Sequence, residues 1–137
     1  MPKLSIILFS GSIDKLMPVG VLASSAAAIG FDVEIFATFW GLMALRRDMA
    51  EKNLRVSKEF EDIAPEMFKI MREKNVPTWI DMLREAKKLG NVKVYACSMT
   101  FDMFNMRRED LVDIVDDVVG AGEYLYKAKD SDITLFI

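Results

Sequence analysis

The feature that most narrows the fold is the alternation of strand-like and helix-like segments along the chain. It is set by the first of them, LSIILF (Leu4–Phe9), a continuous apolar run with β-branched residues. Such runs belong to strands covered on both faces, as in parallel sheets. FDVEIFAT (Phe31–Thr38), VKVYAC (Val92–Cys97), IVDDVV (Ile114–Val119) and DITLFI (Asp132–Ile137) read as four further strands, with helical stretches between them. Strands separated by helices imply parallel crossovers. The expected fold is therefore α/β, a three-layer α/β/α sandwich on a five-stranded, mostly parallel sheet. The sequence carries no internal repeat, low-complexity segment or linker, so residues 1–137 read as one domain, with a variable helical insertion around 48–76.

The helices carry local signals. Leu16–Phe31 runs sixteen residues without a charge, short of the roughly 20 a membrane span needs. It reads as a helix buried on most sides, against the sheet or a neighbouring subunit. Pro18 restricts Met17, which puts Ser12–Met17 in an irregular turn and the regular start at Pro18. Asp48–Lys58 is polar and aperiodic, an expected loop. Phe60, Ile63, Met67, Ile70 and Met71 fall on one helical face, and Pro65 predicts a kink or two short helices there. Thr78 with Asp81 three residues on predicts a helix start, Trp79, Ile80, Leu83 and Ala86 its buried stripe, and Gly90 its end. Arg107–Asp113 predicts a short amphipathic helix.

Composition removes whole classes of chemistry. The chain has no histidine and a single cysteine, Cys97. Ser-His-Asp and Cys-His catalysis are excluded, and so are the common zinc sites. A lone cysteine forms no internal disulfide, which suggests a reducing, cytoplasmic setting. The net charge is −3 with no dominant basic patch, so nucleic acid and anionic membranes are poor partners. The apolar run of the N-terminus is too short for a signal-peptide core.

In parallel sheets, sites form beyond the carboxyl ends of the strands. The turn SGSIDK after the first strand lacks both glycine-rich phosphate fingerprints. Gly11, Ser12 and Lys15 there can still hold an anion at a helix N-terminus, or simply form a tight turn. Thr38-Phe39-Trp40-Gly41 puts two aromatics at a strand tip, as pocket wall or as core. Met99, Met103 and Met106 share a helical face, a thioether surface or core filling. Asp102 and the Asp116-Asp117 pair read as solvated or capping residues, so no metal is expected.

Cys97 ends a strand where a helix begins, and Ser98 and Thr100 offer hydroxyls beside it. A thiol at a helix N-terminus is stabilised as thiolate and reacts without an imidazole base. The alternative is a small apolar residue that completes the strand.

ILFSGSIDK, GFDVEIFATFWGL and VKVYACSMTFDMFNMRREDLVD together resemble the DsrE/DsrF-like family, in particular its peroxiredoxin-like branch. The resemblance covers the first 45 or so residues and the chain from about Thr78 onward. It implies a five-stranded parallel sheet and homotrimers or homohexamers. It also implies that Cys97 carries sulfur, as persulfide or thiosulfonate, in sulfur relay or oxidation. The expected partners are other sulfur-transfer proteins and small compounds such as thiosulfate or tetrathionate, with no cofactor. In this picture Gly11, Ser12, Lys15, Ser98 and Thr100 hold the anionic group, and Phe39, Trp40 and Met99 wall the pocket. Some members carry a second cysteine where this chain has Asn105, which argues against a resolving-thiol cycle. A non-catalytic nucleotide or small-molecule module built on Ser10–Lys15, and a structural subunit with a buried Cys97, are the alternatives.

Overall fold

Five strands form one sheet in a computed structural model that describes residues 1–137. They are β1 (Lys3–Leu8), β2 (Asp32–Ala37), β3 (Val92–Cys97), β4 (Asp117–Val119) and β5 (Ile133–Phe136). Their order is β4-β3-β2-β1-β5, and every adjacent pair is parallel. The seven helices are α1 (Ile13–Ala28), α2 (Trp40–Met43), α3 (Arg47–Ala50), α4 (Ala64–Glu73), α5 (Trp79–Leu89), α6 (Ser98–Met103) and α7 (Ala121–Ala128). No helix is long and apolar enough to cross a membrane.

The topology fixes which helix lies where. From β1 to β4 each strand is placed on the same side of its predecessor, so right-handed crossovers put their connections on one face. The step from β4 to β5 returns across the sheet, which sends α7 to the opposite face. The core follows this division. Leu4, Ile6 and Leu8 of β1, Val33, Ile35 and Ala37 of β2, and Val92, Val94 and Ala96 of β3 pack with α1 and α5 in the main core. The other face is thinner: Phe36, Cys97, Val119 and Tyr124 form a small cluster beneath α7.

α5 and β3 form as the sequence predicts. Thr78 accepts the Asp81 amide at 3.1 Å, and Trp79, Ile80, Leu83 and Ala86 are the buried residues of the helix. Gly90 caps its end.

α1 does not start at Pro18. The helix begins at Ile13 and carries Pro18 inside it. Its first turn is clamped from the 53–57 segment. Asn53 Nδ2 donates to the Gly11 carbonyl at 2.9 Å, the Arg55 carbonyl accepts the Ile13 amide at 2.7 Å, and the Ser57 amide donates to the Asp14 carboxylate. These tertiary bonds offset the hydrogen bond that proline removes. Within the one chain, α1 is buried on one side only. One side packs on the core, while Val21, Leu22 and Ile29 face outward.

Three other expectations change. The Asp48–Lys58 loop begins with α3 and ends in a single 3-10 turn at Lys58–Phe60. Pro65 sits in the first turn of α4, where its missing N–H costs nothing. That helix buries only Ala64, leaving Phe60, Ile63 and Ile70 exposed. Arg107–Asp113 holds only a 3-10 turn, Arg108–Asp110, closed by the Asp110 carboxylate accepting the Arg107 amide at 2.8 Å. β4 is shorter than Ile114–Val119 because Ile114 and Val115 turn into the main core, and Asp116 accepts the Val94 amide at 2.8 Å.

Candidate functional site

Cys97 is the last residue of β3, and α6 begins at the next residue. Its own strand and the neighbouring edge strand send their chains to opposite faces: β3 leads into α6 and the main-core side, β4 into α7. Cys97 pairs with Val119 of β4. It therefore stands at the carboxyl end of the sheet where the connections diverge, the place where α/β sheets open a crevice. Alternation along β3 turns its side chain away from the main core, toward Phe36, Val119 and Tyr124.

Cys97 is 4% exposed. Burial pushes its pKa up, but four hydrogen-bonding groups act against burial and prevail. The Thr100 amide, the Thr100 and Thr38 hydroxyls and the Met99 amide hold the thiol below its ordinary value. Amides at the start of a helix and neutral hydroxyls favour the thiolate by bonding to it.

Thr100 joins this cage to the second strand tip. It is fully buried, pairs with the Thr38 hydroxyl at 3.2 Å, and its Oγ1 accepts the Phe39 amide at 3.1 Å. Phe39 sits at φ 47°, ψ −119°, a conformation that a bulky residue reaches only under constraint. The Phe39 ring lies 6.1 Å from that of Phe9, which in turn stacks on Phe136 at 6.0 Å. Two glycines let these turns meet backbone to backbone. A Cβ on Gly41 would stand 2.3 Å from the Leu8 carbonyl oxygen, and one on Gly11 would stand 2.7 Å from that of Trp40.

The predicted site residues fall into two groups. Thr100 and Phe39 belong to the structure around Cys97. Ser98 follows it but has no hydrogen bond to the thiol; its hydroxyl would lie 3.8 Å from a Cβ added at Gly120. Met99 lends its amide while its side chain is exposed. Gly11, Ser12, Lys15 and Trp40 line a separate cleft of about 1270 Å³, bounded on its far side by the 54–72 segment; neither Cys97 nor Thr100 lines it. Asn105 takes φ 51° just past α6. Asparagine tolerates that left-handed conformation better than cysteine does.

Sequence reasoning placed Thr38 at a strand tip but not beside the thiol, on which its hydroxyl acts from the end of β2; it missed three contributors, Tyr124, Arg55 and Arg72. Tyr124 of α7 shares the small buried cluster of Cys97; it is 1% exposed, and its ring stacks on Phe36 at 4.7 Å. Arg55 and Arg72 reach the cleft from the segment with no recognisable motif.

Comparison with known proteins agrees with this architecture. The model of the DsrE/DsrF/DrsH-like family matches residues 1–59 and 48–136. The chain is 34% identical to the sulfur carrier protein DsrE2 of Allochromatium vinosum, with 98% of each chain covered. It is 33% identical to the uncharacterized protein YrkE of Bacillus subtilis, covering 98% of this chain and 96% of that protein. Two solved structures share the fold over the full length of both chains. One is the ychN protein from E. coli, with a TM-score of 0.64 at 15% identity. The other is a protein of unknown function from Methanobacterium thermoautotrophicum, with a TM-score of 0.63 at 17% identity. Matches that span both halves of the chain, on a sheet of this order, make it a member of the DsrE/DsrF/DrsH-like family.

Proposed function

We propose that this protein is a cytoplasmic sulfur carrier that holds a transferable sulfur on Cys97. A relative that is a sulfur carrier supports the role, and the lone cysteine supports a reducing compartment. The observation that carries the reading is the cage of amides and hydroxyls around a thiol at the diverging strand ends. It favours the thiolate with no imidazole in the chain.

The chemistry follows from the thiolate. Attack on the outer sulfur of thiosulfate forms a Cys97 S–S bond, breaks the donor S–S bond and releases sulfite, leaving a persulfide. Attack on an inner sulfur of tetrathionate leaves a thiosulfonate on Cys97 and releases thiosulfate. A second protein's thiolate then takes the sulfane sulfur from the persulfide, and Cys97 leaves as thiolate. The Met99 and Thr100 amides and the Thr100 hydroxyl stabilise that leaving thiolate. No metal or organic cofactor enters these steps.

Donors must pass the cover of Val119 and Tyr124. The Tyr124 hydroxyl is buried without a partner, which makes this cover less favourable than an apolar one of the same shape. Opening of α7 is the route we assign to the donor.

The 4% exposure favours one rival, a structural subunit whose cysteine is inert. Mass spectrometry after exposure to thiosulfate or tetrathionate separates the two. The carrier gains sulfur mass, reversible by reductant and absent in Cys97→Ala. The structural subunit stays unmodified with either donor.

A further inference from the structure

The cleft beside α1 lies outside the sulfur chemistry, yet it has the make-up of a ligand site. Its volume, about 1270 Å³, exceeds the roughly 300–1,000 Å³ of an ordinary small-molecule pocket. Three cations line it: Lys15 at the start of α1, Arg55 in the following clamp segment, and Arg72 near the end of α4. One carboxylate, Glu61, lines it with them. This surplus of positive charge occurs in a chain whose net charge is −3.

None of the three cations has an ion-pair partner, and none of their side chains donates a hydrogen bond. Elsewhere Arg46, Arg84, Arg107 and Arg108 are all paired with carboxylates. Asp14, in the first turn of α1, is already engaged by the Ser57 amide. Gathering unpaired cations from three separate segments around one opening costs repulsion that an anion would relieve.

The rest of the lining selects the anion. Trp40 offers an indole that is 53% exposed, and Phe68 of α4 lines the same space. Flat aromatic faces beside guanidinium groups suit a planar heteroaromatic ring, and arginine forks suit phosphate oxygens. Ser10 and Ser12 add hydroxyls at the α1 end. A single-chain fatty acid would leave two of the three cations without a partner; a polyphosphate would not. We propose that this cleft binds a nucleoside di- or triphosphate, with its phosphates between Lys15, Arg55 and Arg72 and its base against Trp40 and Phe68.

The site spans two elements that otherwise touch little. α4 buries only Ala64, and a second cavity of about 590 Å³ adjoins the cleft, sharing Leu54, Phe68 and Arg72 with it. One ligand held by Lys15 and Arg72 ties α4 to the start of α1.

Calorimetric titration of the full chain with ADP, adenosine and inorganic pyrophosphate tests the proposal. ADP is expected to bind saturably with a Kd below about 1 mM. Adenosine, lacking charge, and pyrophosphate, lacking the ring, are each expected to bind at least about tenfold more weakly. The double variant Arg55→Ser, Arg72→Ser alters two exposed side chains with no partners, so folding is retained; it is expected to weaken ADP at least about tenfold. ADP is also expected to slow amide hydrogen exchange in α4, and Cys97→Ser is expected to bind ADP as the native chain does. The last result keeps failure here distinct from failure of the sulfur reading. No saturable ADP binding, binding unchanged by the double variant, or pyrophosphate matching ADP would each overturn the proposal.

Discussion

At the scale of single residues, the behaviour of Cys97 is decided by a contest between burial and hydrogen bonding. Its folded pKa is lowered, so the folded state favours the thiolate more than the unfolded chain does. The stabilisation this gives is absent at low pH, appears as pH rises through the folded value, and is complete above the ordinary cysteine value near 8.5. Thermal unfolding of the native chain and of Cys97→Ser across that window is expected to diverge upward with pH in favour of the native chain. Thr100→Val removes one hydroxyl from the cage and leaves the Phe39 amide without its acceptor. It is expected to raise the pH midpoint of Cys97 alkylation and to cost about 1–3 kcal/mol in denaturant unfolding. A midpoint that stays in place would remove Thr100 from the account. Gly41→Ala meets a backbone oxygen rather than a mobile side chain, and is expected to cost upwards of about 2 kcal/mol by the same assay. These residue roles were only partly legible. The sequence singled out Cys97 and Thr100 because both sit at a strand-to-helix junction. Thr38 was marked only as part of a strand tip, and Tyr124 comes from another strand–helix unit that no local pattern marks.

At the scale of elements, legibility followed how local the determinants are. β3 has the bounds its composition predicts, and α5 has its cap, stripe and stop within its own eleven residues. The start of α1 was not legible, because the bonds that form it come from Asn53, Arg55 and Ser57. The apolar face of α4 has the right spacing for a buried helix yet lies largely exposed, since spacing says which residues share a side and not what covers them. The cover of the thiol is the element whose motion matters most. Tyr124→Phe removes a buried, unpartnered hydroxyl and is expected to leave stability unchanged or raise it. Tyr124→Ala strips the cover. It is expected to cost about 3–5 kcal/mol and, in the native range, to speed labelling of Cys97 by a small alkylating reagent. Labelling at the same rate in Tyr124→Ala and the native chain would place the entry route elsewhere.

At the scale of the whole molecule, a parallel sheet with asymmetric covering explains both sites. Four successive strands laid down in one direction build the thick side with α1 and α5. The single return from β4 to β5 leaves the other side to α7 alone and opens the sheet beside Cys97. The fold class and the parallel sheet were legible because they depend on the alternation of segments along the chain. The 1270 Å³ cleft was not, because it arises where α1, the second strand tip and the 54–72 segment meet. We propose that the chain associates with itself through exposed apolar residues on several elements, among them Val21, Leu22, Ile70, Tyr126 and Phe136. Sedimentation is expected to give a trimer or a hexamer; a monomer at micromolar concentration would contradict it.

The central claim is that Cys97 takes up and releases sulfur. Its most direct test is the intact mass of the native protein after incubation with thiosulfate or tetrathionate, followed by a second protein thiol. The account predicts added sulfur mass confined to Cys97, passed on to the acceptor and missing from Cys97→Ala. An unchanged mass with every donor, in a protein that remains folded, would contradict it.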